Sequence, residues 1–206
     1  MKKIKIAVLA ALMGVLLSGC KNSGSTSTFS PEQSSIFVTR EGAFSSALIE
    51  PYEHDYYDQT ELQAAIEAAV AAYNAGHGGS GVSLSSCKLA DGKATALFSY
   101  ARGTDLCAFA DETKDQANQA DRLELSTIEA GLVEGKVSDG TWVKVKDGSE
   151  VSLNTVIKQG KLHLLTLEGT ATVQTEGKIE YTSGAVTLLD DFTAQIAGGK
   201  AYIAFK

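Results

Sequence analysis

The chain has 206 residues, of which 44% are hydrophobic and 21% charged, an ordinary globular balance in a length that buries one sizeable core. Its 18 Lys and Arg face 25 Asp and Glu, a formal net charge of −7. No basic run follows the first five residues, which excludes a grip on a phosphate backbone and so nucleic-acid binding.

Met1 is followed by Lys2, Lys3 and Lys5 and then by twelve mostly apolar residues, Ile6 to Leu17, the layout of an export signal. Twelve residues are too few to span a bilayer, which takes about 20, so residues 1–19 read as a cleaved segment. The run closes on Leu17-Ser18-Gly19-Cys20, which resembles the lipobox of bacterial lipoproteins. The resemblance implies cleavage after Gly19, diacylglycerol on the thiol of Cys20 and acylation of the new amino terminus. Each buried methylene contributes about 0.8 kcal/mol, so two or three chains hold where one is marginal. Removal of the three Lys leaves 15 basic against 25 acidic residues, a net −10, so acyl chains rather than attraction to anionic lipid are expected to anchor the protein. The expected location is the outer face of the cell membrane, or its periplasmic face in a two-membrane cell.

Residues 20–35 read as the lipidated Cys and a Ser- and Thr-rich flexible tether, and residues 36–206 as the folded domain. Residues 35–39 and 43–49 alternate about Glu41-Gly42, a strand hairpin. Leu62, Ala65, Ile66, Ala69, Val70 and Tyr73 recur at helical spacing and predict a helix over 60–75, opened by a Thr60/Gln63 capping box and stopped at Gly76. Residues 81–89 and 93–101 alternate about Asp91-Gly92, a second hairpin. A short helix is predicted over 104–110. Residues 111–122 are polar and aperiodic, a surface loop or a subdomain junction, and Leu125, Ile128 and Leu132 suggest another helix beginning at Ser126.

The last third consists of short β-like runs between turn signals such as Asp139-Gly140, Asp147-Gly148, Glu176-Gly177 and Gly198-Gly199. The fold class is therefore α+β: one main helix packed on an antiparallel sheet, with a β-rich C-terminal half forming a meander or roll. In the same region His163 alternates with Leu165 and Leu167 as a half-buried sheet residue. Trp142 shares a face with Lys144 and Lys146, which makes it exposed or covered by Lys stems.

No catalytic or metal-binding signature is present, and no cofactor is implied. The densest chemistry lies in Tyr52, Glu53, His54, Asp55, Tyr56, Tyr57 and Asp58, which combines aromatic faces with carboxylates and an imidazole. Such a set stacks on a sugar ring and bonds its hydroxyls, or holds a cation through oxygen. It equally meets the needs of a loop feeding a helix, with aromatic anchors and an acid at the helix start. Lipidation of Cys20 leaves Cys87 and Cys107 as a disulfide pair or as two separate buried thiols.

Ser35 to Ala101, a strand pair, a Tyr-Tyr-Asp-led helix and a second strand pair, resembles uncharacterised surface lipoproteins of Gram-positive gut bacteria. That family brings no known activity or site residues. The function expected is a membrane-anchored, non-catalytic module that binds a glycan or another envelope component. The competing class is a membrane-tethered hydrolase.

Overall fold

In the computed structural model the described residues are 26–52, 58–137, 140–183 and 185–206, so the export signal and Cys20 lie outside them. Chain order is β1 (Ser35–Val38), β2 (Phe44–Pro51), α1 (Gln59–Gly76), β3 (Val82–Ala90), β4 (Lys93–Tyr100), α2 (Gly103–Thr113), a 3-10 turn (Gln116–Asn118) and β5 (Ala120–Thr127). There follow α3 (Ile128–Val133), β6 (Trp142–Lys144), β7 (Ser149–Val151), α4 (Leu153–Ile157), β8 (His163–Thr175), β9 (Ile179–Ser183), β10 (Val186–Leu188) and β11 (Thr193–Phe205).

Both predicted N-terminal hairpins form. Asp91 and Gly92 both take positive φ, 52° and 71°, the two-residue turn whose twist matches antiparallel strands. Helix α1 exceeds its predicted span by one residue at each end, but its cap is Asp58, which accepts from the N–H of Glu61 at 2.9 Å, and not Thr60. Tyr73 is the one residue of α1 that is fully buried, so the helix lies on the molecule's flank with Leu62, Ile66 and Val70 half-buried.

The sheet runs β3-β4-β2-β1-β8-β11-β9-β6-β7, with β5 paired to β8 and β10 to β11. It is mixed and not purely antiparallel: β1 lies parallel to the end of β8, Ile36 opposite Val173. Leu125, expected in a helix, lies in β5 opposite Leu165, and α3 begins only at Ile128, where Thr127 caps it through the N–H of Ala130. Residues 111–122 finish α2 and lead through the 3-10 turn into β5, and Asn118 among them is fully buried.

The main departure from a simple meander is the β8–β11 ribbon. Each strand has 13 residues, about 40 Å if straight. Yet both ends of β8 reach one corner. His163 at its start pairs with Phe205, while just past its end Lys178 accepts the N–H of Lys206 at 3.1 Å. The ribbon therefore folds over. The fold falls where Gly169 has φ +128° and where the β11 register slips between Ala197 and Lys200, across Gly198 and Gly199 at φ +140° and +73°. A Cβ on Gly169 would stand 2.4 Å from the carbonyl oxygen of Gln119, so the bend demands glycine.

Folding over brings Leu165, Leu167 and Ile203 from one half into a single core with Val173 and Ile196 from the other, joined by Val38 of β1 and by Leu106 and Phe109 of α2. A second core covers the opposite face of the first half and holds Leu164, Tyr181, Tyr202, Ile128 and Val156. Trp142 belongs to it: the ring is 1% exposed and stacks on Tyr202 at 5.5 Å, which corrects its reading as a surface residue. Coverage of both faces explains why Leu164 to Leu167 are all buried.

From Thr26 onward the segment read as tether is docked. Thr26 bridges to Gly177, Ser27 donates its N–H to the carbonyl of Glu176, and Phe29 stacks on Phe37 at 5.1 Å.

Candidate functional site

A cleft of about 630 Å³ opens between the β1–β2 turn, the start of α2, β5 and the start of β8. Arg40 and Glu41 come from the turn, Arg102 and Thr104 from α2, Glu124 and Ser126 from β5, Lys136 from the segment after α3, and His163 from β8. Phe44, Leu123 and Leu125 supply apolar wall.

The start of α2 is wedged into this cleft for a steric reason. A Cβ on Gly103 would lie 2.1 Å from the carbonyl oxygen of Leu123, so only glycine lets the helix end approach the β5 backbone. Arg102 occupies the cap position with extended geometry and makes no side-chain cap bond, having no acceptor to offer. The positive end of the helix dipole thus faces the cleft.

Arg102 instead bonds forward. Its Nε donates to Oδ2 of Asp105 and its guanidinium NH2 to Oδ1, both at 2.9 Å. The Asp105 side chain is 4% exposed and also accepts from the hydroxyl of Tyr73 at 3.3 Å. The Arg102 bonds hold its carboxyl below the usual carboxylate range. Glu124 is held similarly, first by two bonds from Arg122 at 2.9 Å and then by Lys136 at 3.1 Å, which also reaches Glu134 at 2.7 Å. His163 is half-buried and stacked on Phe205 at 5.3 Å, and burial followed by the charge of Arg40 lowers its pKa. The cleft therefore brings together an imidazole whose charged form is disfavoured, the cations of Arg40, Arg102 and Lys136, the carboxylates of Glu41 and Glu124 and the hydroxyls of Thr104 and Ser126, with Arg102 paired to Asp105 and Lys136 to Glu124 and Glu134.

Of the described residues singled out from sequence, His163 lines this cleft, whereas Tyr52, Asp58, Cys87 and Cys107 do not. Tyr52 directly follows β2, its N–H donating to the carbonyl of Gly92 at 2.9 Å, and Asp58 serves as the α1 cap, the helix-anchoring role. His54, Asp55, Tyr56 and Tyr57 lie outside the described residues. Cys87 is buried in β3 and Cys107 half-buried in α2, and both are free thiols, so no disulfide joins them. Burial, with Asp121 nearby, pushes the Cys107 thiol up to about 11, and burial raises Cys87 too. Sequence reasoning missed Arg40, Arg102 and Lys136, which stand singly in the chain; the one local signal was an Arg three residues before an Asp at a helix start.

Compared with known proteins, the chain matches no family model, no curated protein sequence and no solved structure.

Proposed function

We propose that the protein is an exported lipoprotein, anchored through Cys20, whose folded domain binds without catalysis an acidic, hydroxyl-bearing component of the envelope. The observation that carries this reading is the convergence of Arg40, Arg102 and Lys136 with the start of α2 in one cleft, where they outnumber the carboxylates of Glu41 and Glu124, in a chain whose charge is otherwise strongly acidic. Cationic forks and exposed hydroxyls suit phosphate or carboxylate groups flanked by sugar or polyol hydroxyls. The apolar wall suits the carbon face of such a ligand.

Calorimetric titration with polyglycerol phosphate, polygalacturonate and neutral dextran tests the reading. Binding of an acidic polymer is expected, weakening as salt rises and falling at least about tenfold in Arg40→Gln/Lys136→Gln. Equal binding of dextran, or no binding of either acidic polymer, would contradict it.

A further inference from the structure

The first described residue, Thr26, is pinned rather than trailing. It bridges to Gly177, and Ser27 bonds to Glu176, at the corner where the two ends of the folded ribbon meet. Arg40 donates from Nε to the carbonyl of Lys206 at 2.8 Å at the same corner, and also lines the cleft. Cys20 stands six residues before Thr26, a covalent reach of at most about 20 Å.

The opposite pole is equally well defined. Strand β2 runs its eight residues, about 25 Å, away from the Arg40–Gly42 turn and ends beside Gly92, where Tyr52 and the start of β4 lie. Pairing of Pro51 with Lys93 fixes that end of the sheet.

We infer that the corner of Thr26, Arg40, Gly177 and Lys206 is the face apposed to the bilayer, and that the pole of Tyr52, Gly92 and Lys93 points away from it. The inference rests on lipidation of Cys20 as proposed above. Thr26 lies at this corner and Cys20 only six residues before it, which limits how far the corner can stand from a lipid surface. Charge agrees. Two of the corner's cations have an acid partner, Lys178 with Asp191 and Lys206 with Glu180, both at 2.7 Å, and the main-chain N–H of Arg40 bonds to Glu176 at 3.0 Å. This near-balanced face meets anionic headgroups with less repulsion than the acidic remainder of the mature chain. A ligand taken by the cleft would then be met on the membrane side, through Arg40, and one reaching Tyr52 on the far side.

The test uses full-length protein processed and lipidated in cells, carrying Cys87→Ala and Cys107→Ala, with one fluorophore placed by Lys206→Cys or Lys93→Cys. Both sites are exposed lysines, so net charge changes alike, although Lys206→Cys also removes the ion pair with Glu180. After reconstitution into phosphatidylcholine–phosphatidylglycerol vesicles with nitroxide-labelled headgroups, the Lys206→Cys fluorophore should be quenched at least about twofold more than the Lys93→Cys fluorophore. Equal or reversed quenching in vesicle-bound protein overturns the orientation while leaving the anchor intact. Failure of both proteins to float with the vesicles overturns the lipid anchor, and the orientation with it.

Discussion

Arg102 and Asp105 form a two-bond fork at 2.9 Å in which the guanidinium is 71% exposed and the carboxylate 4%. The pair ties the first turn of α2 to Tyr73 of α1 and sets the cationic edge of the cleft. Because one partner is wet, the pair is worth far less than a fully buried one. Arg102→Gln should lower stability at pH 7, chiefly through a carboxylate left under-bonded, and Asp105→Asn in the same chain should restore part of the loss. The pH dependence has a definite sign. The Asp105 pKa is lowered on folding, so its contribution is complete above the unfolded carboxyl value near 3.8 and is lost as pH falls through the folded value below it. Urea denaturation should therefore show the gap between parent and Arg102→Gln shrinking as pH falls below about 4.

The folded ribbon depends on Gly169. Gly169→Ala places a Cβ 2.4 Å from the Gln119 carbonyl oxygen at φ +128° and should cost at least about 3 kcal/mol, enough to threaten folding. Gly199 has φ +73° but nothing within 4 Å of its added Cβ, so Gly199→Ala should cost only about 1 kcal/mol. Thermal melts of the two variants make the comparison, and equal losses would mean that the bend does not hinge on Gly169.

These glycines also show why the fold was only partly legible. Asp91-Gly92 and Gly198-Gly199 look alike in sequence because positive φ serves a chain reversal and a mid-strand fold equally well. The first is a hairpin turn, whereas the second bends β11 without ending it. Local patterns did reveal both N-terminal hairpins and α1, whose information lies within a few residues. Leu125 misled because its spacing to Ile128 and Leu132 is helical, while its pairing with Leu165 is decided forty residues away. The parallel contact of β1 with β8 and the assembly of Arg40, Arg102, Lys136 and His163 are likewise products of tertiary closure. No window of sequence contains them.

The two thiols offer a separate check. Mass spectrometry of the denatured mature chain, alkylated without reductant, should count two free cysteines, and native protein should react slowly at both because burial raises each thiol. A bonded pair resistant to alkylation would require α2 and β3 to sit differently from the structure.

Lipid attachment at Cys20 is the claim on which location and orientation rest. Metabolic labelling with an alkyne fatty acid, followed by detergent extraction and gel analysis, measures it directly. The parent chain should incorporate label and stay in the membrane fraction, and Cys20→Ala should lose both; label retained by Cys20→Ala, or a parent chain that takes up none, would contradict the account.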